Sequence, residues 1–135
     1  MEEHTSSQKR ILIVDDEAPV LMVYRGTLQR IGKGYEIVTA QGGHEALEQA
    51  RAAPFDLVIT DIRMPGMDGI ELTRSMRDLN PGAAVIWITA FGCGRVYAEC
   101  EELSVFRCLD KPVEIVELRR ATLEALGADG HERSR

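Results

Sequence analysis

Residues 56–72 read DLVITDIRMPGMDGIEL, and this stretch decides the fold. Asp56 to Thr60 is a short run of Leu, Val and Ile, which predicts a buried strand. Asp61 follows at once. Pro65, Gly66 and Gly69 then supply the turn chemistry that stops the strand and leaves the acid at its end. Beyond the turn, Leu72, Met76 and Leu79 recur at helical spacing. The stretch is therefore a strand, an acidic tip, a turn and an amphipathic helix in succession.

The same unit recurs on both sides of it. Apolar runs of strand length lie at Ile11 to Val14, Tyr35 to Ala40, Ala84 to Thr89 and Val105 to Leu109, giving five strands with Asp56 to Thr60. Helical spacing appears in Val20, Tyr24, Leu28 and Ile31, in Val96, Cys100 and Leu103, and in Val116, Leu123 and Leu126. Gly43 to Ala53 is Ala-rich and more weakly patterned. Pro19 suits a first helical turn, and Gly32 and Gly34 suit a helix stop. Strict strand-helix alternation implies parallel strands joined by right-handed crossovers, and strands this apolar need helices on both faces. The expected fold is α/β, a doubly wound five-stranded parallel sheet of flavodoxin-like order 2-1-3-4-5.

The 135 residues carry 16 Lys and Arg against 22 Asp and Glu, a net charge of −6, with 44% hydrophobic residues. That is ordinary globular composition for one compact domain. Residues 1–10 read as a flexible leader, 11–126 as the domain and 127–135 as a flexible tail. The acidic balance argues against direct binding of nucleic acid or an anionic membrane surface, which needs clustered Lys and Arg. No run is long enough to span a bilayer, and MEEHTSSQKR lacks a signal-peptide core, so a cytoplasmic location is expected. Cys93, Cys100 and Cys108 have neither disulfide-framework nor zinc spacing and read as reduced thiols. His4, His44 and His131 are scattered and give no metal spacing.

In open α/β sheets ligands bind at the carboxyl ends of the strands. Run one ends in Asp15-Asp16, run three in Asp61, run four in Thr89, and run five is followed by Lys111. Each residue alone has an ordinary explanation as a cap, a β-former or a solvated charge; their joint placement on one edge points to a site. Three carboxylates about 4–6 Å apart repel by a few kcal/mol per pair at an effective dielectric near 20, so such a site holds protons or recruits a cation. Oxygen ligands without His or Cys favour Mg2+ over zinc. Three carboxylates, one ammonium and a divalent cation then cancel, so an incoming phosphoryl group meets no net repulsion. Asp61 is the best nucleophile for an aspartyl phosphate, with Lys111 and Thr89 available to the phosphoryl oxygens.

ILIVDDE, DLVITDIRMPGMDGIEL, VIWITA and LDKP, which together frame residues 10–126, resemble the signature blocks of response-regulator receiver domains of two-component signalling, including stand-alone chemotaxis-type regulators. The resemblance implies that Asp61 is the phosphoacceptor, that Asp15, Asp16, Asp61 and the main-chain carbonyl of Arg63 hold Mg2+, and that Thr89 is the switch hydroxyl. It further implies that Lys111 pairs with the phosphoryl group, that Ala90 is the small residue keeping the site open, and that a cis peptide precedes Pro112. The implied partners are a sensor histidine kinase or histidine phosphotransfer protein upstream. Downstream, they are an output protein, or an output domain missing beyond Leu126. The protein would act as a monomer or as a weak dimer formed on phosphorylation, read out through residues 93–126.

One position departs from the family. Where the pattern places Tyr or Phe, three residues before the Lys, this chain has Cys108. Phe106 lies two residues earlier on the same side of the strand, where it either compensates or simply packs on a helix. Arg63 and Phe91 should border the site mouth, and Trp87 should lie in the core. Among rival readings, a haloacid dehalogenase-type phosphatase needs an Asp where Arg63 stands. A phosphate-binding P-loop is absent, and Gly92-Cys93-Gly94 meets Tyr97 where a dinucleotide fingerprint requires glycine. The stronger rival is a receiver-like adaptor or interaction module that is never phosphorylated.

Overall fold

A computed structural model describes residues 8–32 and 34–127. It is a five-stranded parallel sheet, as the alternation predicts, and its order β2-β1-β3-β4-β5 is the expected flavodoxin-like one. The strands are β1 (Lys9–Val14), β2 (Tyr35–Ala40), β3 (Leu57–Asp61), β4 (Ala84–Thr89) and β5 (Arg107–Asp110); the helices are α1 (Ala18–Gln29), α2 (Gly43–Ala52), α3 (Gly69–Leu79), α4 (Tyr97–Glu102) and α5 (Ile115–Ala125).

The period-two alternation of the strands sorts the core into two layers. Leu12, Val14, Val58, Val85 and Trp87 face α2 and α3, burying Ala46, Leu47, Ala50, Leu72 and Met76. Ile11, Ile13, Leu57, Ile59, Ile86 and Ile88 face the other way, onto Leu21 and Leu28 of α1 and Leu118 and Ala121 of α5. Two-sided burial explains why the central strands are apolar throughout. Trp87 is fully buried, as expected, and its indole N–H donates to the Thr73 hydroxyl at 2.8 Å, which ties β4 to α3.

Element boundaries differ from the sequence expectation in instructive ways. β1 begins at Lys9, not Ile11, because pairing with Tyr35 and a bond from the Lys9 amide to the Gly34 carbonyl extend the ladder into polar residues. Lys9 and Arg10, the last residues of the expected leader, are therefore paired in the sheet; the rest of that leader, residues 1–7, and the expected tail from residue 128 on lie outside the described residues. β5 begins at Arg107, not Val105, because the Val105 amide is engaged by the Cys100 carbonyl at the end of α4. The fourth helical segment is broken: Cys93–Val96 form a 3-10 turn, and α4 proper is short.

The turn after β3 is fixed from both ends. Asp68 caps α3 with a reciprocal box, its carboxylate accepting from the Glu71 amide at 2.8 Å while Glu71 accepts from the Asp68 amide at 2.9 Å. Gly69 passes directly over the strand end, where an added Cβ would lie 2.3 Å from the Asp61 carbonyl oxygen and 2.9 Å from the Ile62 Cα. Both of those neighbours are backbone and cannot swing away. Gly69→Ala is expected to lower stability by about 1–3 kcal/mol, whereas Gly82→Ala, with open space around it, changes it by less than about 0.5 kcal/mol; denaturant unfolding of the two variants checks the contrast.

Candidate functional site

Three strand ends and the segment after a fourth deliver the site. β1 stops at Val14, so Asp15 and Asp16 emerge at the carboxyl edge, and Asp61 is the last residue of β3, the central strand beside β1. One carboxylate oxygen from each of Asp15, Asp16 and Asp61 lies within 4.8 Å of the others. Asp15 and Asp61 are buried and Asp16 is exposed, so the cluster is a shallow well with one wall open to solvent.

Asp61 is held on both oxygens. The Lys111 ammonium donates to Oδ2 at 2.6 Å, and the Arg63 amide donates to Oδ1 at 3.2 Å. Lys111 stands immediately after β5, with its own amide on the Thr89 carbonyl at 2.8 Å and a cis peptide linking it to Pro112, as expected. Burial pulls the Lys111 pKa down, but the hydrogen bond and charge of Asp61, reinforced by Asp15, outweigh it and leave the ammonium more basic than usual. Thr89 closes β4 one residue beyond the level of Asp61; its hydroxyl accepts from the Phe91 amide at 3.0 Å, which leaves its proton free to donate. Ala90 is exposed between Thr89 and Phe91.

Asp15 carries the strain of the cluster. Burial first, and then the charges of Asp61 and Asp16, push its pKa up to about 6, against an opposing hydrogen bond from the Glu17 amide at 2.8 Å and the charge of Lys111. A cluster of hard oxygen donors that resist simultaneous ionisation fits a small divalent cation, which would relieve that repulsion. No nitrogen or sulfur ligand belongs to the group, which fits Mg2+ better than zinc.

Sequence reasoning placed Arg63 and Phe91 at the mouth but not their mutual contact. The Arg63 guanidinium stacks on the Phe91 ring at 4.4 Å, with Phe91 49% exposed, forming a half-open flap over the entrance. In the sequence Tyr24 shows only as one of the residues at helical spacing in α1. Burial raises its pKa while the Lys111 charge lowers it, which places its phenol in the field of the site. Tyr24, Pro19, Val20, Val23, Lys111 and Val113 line an open apolar groove of about 580 Å³ beside Lys111. No short-range pattern announces that groove, because α1 and the segment after β5 are far apart in the chain.

Cys108 and Phe106 are placed differently. Cys108 points into the α3-side core, partly buried. Phe106 precedes β5 and is 41% exposed, with the Arg107 guanidinium 5.4 Å from its ring, so it neither fills an inward aromatic position nor packs in the core. Its exposure follows from the chain geometry: the Phe106 amide bonds the Val85 carbonyl as the chain enters β5 from outside the sheet. Among the described residues no helix is long and apolar enough to cross a membrane.

The parallel sheet in this order thus carries an acid triad at its carboxyl edge and a lysine on the central acid. A family model described as "Response regulator receiver domain" matches residues 11–123, and the chain belongs to that family. It is 36% identical over 121 residues to the transcriptional regulatory protein ZraR of Escherichia coli strain K12, covering 90% of this chain but 27% of ZraR. The chain thus spans about a quarter of the length of that relative. It is 33% identical over 118 residues to sporulation initiation phosphotransferase F of Bacillus subtilis, covering 87% of this chain and 94% of that protein. Among solved structures, a CheY-like receiver domain protein from Methanospirillum hungatei superposes with a TM-score of 0.83 at 30% identity, covering 93% and 99% of the two chains. Response regulator TrrA from Thermotoga maritima, solved in complex with Mg(2+)-BeF, gives 0.76 at 35% identity, covering 87% and 99%. The chain thus carries a receiver domain of the response-regulator family, whose members are signalling switches.

The raised Asp15 pKa makes a directional prediction for the metal-free protein. The unfolded chain releases this proton near pH 4 and the folded chain near pH 6, so the folded state binds more protons between those values and loses stability as pH rises through that window. Asp15→Asn, which keeps the bond from the Glu17 amide, is expected to flatten that slope and to raise stability at pH 7 by about 1–2 kcal/mol. Added Mg2+ should stabilise the unaltered protein but not the variant, as thermal unfolding across pH checks.

Proposed function

We propose that Asp61 accepts a phosphoryl group from the phosphohistidine of a sensor kinase or histidine phosphotransfer protein. The observation that carries this reading is the convergence of Asp15, Asp16 and Asp61 within 4.8 Å, with the Lys111 ammonium on Asp61. Asp15, Asp16, Asp61 and the main-chain carbonyl of Arg63 would hold Mg2+. When bound, Mg2+ supplies positive charge against which phosphoryl oxygens can rest.

The chain's own residues account for the remaining chemistry. An Asp61 carboxylate oxygen attacks phosphorus; the bond from phosphorus to the imidazole nitrogen breaks, and the imidazole departs with the electron pair and takes up a proton. Lys111, paired with Asp61 at rest, turns to a phosphoryl oxygen once the carboxylate is esterified. Thr89, whose proton is uncommitted, donates to another phosphoryl oxygen, which draws the end of β4 inward and shifts a two-state equilibrium of the surface beyond it. Water attacking phosphorus later returns free Asp61 and inorganic phosphate. Self-catalysed gain and loss of this kind make a switch; no metabolic substrate is turned over. The apolar groove beside Lys111 suits the donor protein, because a helix seated there brings its histidine to the rim of the site.

The receiver unit is assigned to residues 11–126, acting in the cytoplasm as a monomer or a weak phosphorylation-dependent dimer. Its output surface is residues 93–126, read by a partner protein or by an attached output domain of the sort a longer relative would carry. Phe106, exposed at rest, lies on that surface. The rival reading, a receiver-like adaptor that is never phosphorylated, draws on Cys108 at the switch position. One assay separates the two. Incubation with acetyl phosphate and Mg2+ is expected to add the mass of one phosphoryl group to the intact protein and none to Asp61→Ala; no addition to a folded protein favours the adaptor. In the same assay Arg63→Ala and Phe91→Ala should each lose the group several-fold faster, because the stacked pair that shields the mouth from water is gone.

A further inference from the structure

The three cysteines are separated in sequence but gather in the fold. Cys93 opens the 3-10 turn after β4, Cys100 lies in α4 and Cys108 lies in β5. Cys100 and Cys108 pack against the same core layer, and the 3-10 turn packs on β5. The Cys93 amide donates to the Asp110 carboxylate at 2.9 Å, anchoring the turn two residues along β5 from Cys108 and on the same face of the strand. The Cys108 thiol faces those of both Cys93 and Cys100. All three are free. Among the described residues only the acid triad brings three ligand atoms within 4.8 Å of one another, so the three thiols do not form a metal site of that kind.

We propose that Cys93 and Cys108 form a reversible disulfide that clamps the loop between β4 and α4 onto β5. Cys108 has two thiol neighbours, and backbone freedom selects between them. A disulfide demands a Cα separation of about 4.4–6.8 Å and a torsion near a right angle, so at least one partner must adjust. Cys93 can do so: Gly92, at φ 99°, precedes it and Gly94 follows it. Cys100 cannot adjust as readily, because it sits inside α4 and its carbonyl is fixed by the Val105 amide at 2.9 Å.

The chemistry balances as an exchange with a low-molecular-weight disulfide. One protein thiol, as thiolate, attacks a sulfur of the small disulfide and releases one small thiol. The second protein thiol then attacks the mixed disulfide and releases the other. The protein pair loses two hydrogens and two electrons, and the small disulfide gains both. Burial pushes all three thiols up, which keeps them protonated and slows the exchange. The bridge would hold the segment that follows Thr89, Ala90 and Phe91 against the strand that leads into Lys111. Redox state would thus restrain the two segments flanking the acid site without touching the acids.

The test is incubation of the intact chain with oxidised glutathione, followed by alkylation of remaining thiols and peptide mapping. The expected product lacks two hydrogens, carries one alkylated thiol at Cys100, yields a peptide cross-linked between Cys93 and Cys108, and reverts under reductant. Cys100→Ser should form the same bridge, and Cys93→Ser and Cys108→Ser should not. Hydrogen exchange across residues 91–97 should slow on oxidation. Glutathione adducts without an internal bridge, a bridge through Cys100, or unchanged exchange once the bridge has formed would overturn the proposal. Phosphorylation enters none of these readouts, so they stand or fall independently of the role given to Asp61.

Discussion

Like charge forced together at the carboxyl edge of a parallel sheet governs this molecule. Asp15, Asp16 and Asp61 share a space less than 5 Å across, and among the described residues one ammonium, that of Lys111, is paired with them. Strand register keeps Asp15 beside Asp61, and Asp16 joins them from the exposed side. β1 and β3 are adjacent and in register from Ile11 opposite Leu57 to Val14 opposite Thr60, so their next residues must emerge side by side. The apolar layers on both faces of the sheet hold that register. The hydrophobic core is thus what confines the acids, and the acids are what gives the surface a use.

The same arrangement links the site to its surroundings. Lys111 is bonded through its side chain to Asp61 and through its amide to the Thr89 carbonyl, so the central acid, the end of β4 and the start of the segment leading to α5 form one connected unit. Any new charge on Asp61 alters the partner of Lys111 first. On the opposite side, Arg63 and Phe91 come from the loops after β3 and β4 and meet above the acids, so access to the well depends on both loops at once. Asp110 and Cys93 join the loop after β4 to β5 independently. The β4–α4 loop is therefore tied at both ends.

Much of this was legible in the chain. The alternation of apolar runs with helical spacing shows five parallel strands with helices on both faces, whereas the order 2-1-3-4-5 is the common one for such sheets and is not set by the alternation itself. Asp15, Asp16, Asp61, Thr89 and Lys111 were legible because each stands at or within two residues of the end of an apolar run, and the sheet brings all such positions to one edge. Boundaries were less so: Lys9 and Arg10 join β1 through backbone bonds that side-chain polarity conceals, and Val105 is excluded from β5 by a bond to Cys100. Contacts between loops were not legible at all. The stacking of Arg63 on Phe91, the gathering of three thiols and the groove between α1 and Pro112 each join residues that no sequence period relates. The exposure of Phe106 belongs with them, since it depends on how the chain enters β5.

The account rests on the claim that the three carboxylates form one oxygen site for a divalent cation. Calorimetric titration with Mg2+ at neutral pH tests it most directly. One binding site per chain, lost in Asp16→Asn, whose exposed side chain contributes nothing to the core, is the result the account requires. The absence of a saturable heat in the unaltered protein, or full retention of it in that variant, would contradict it.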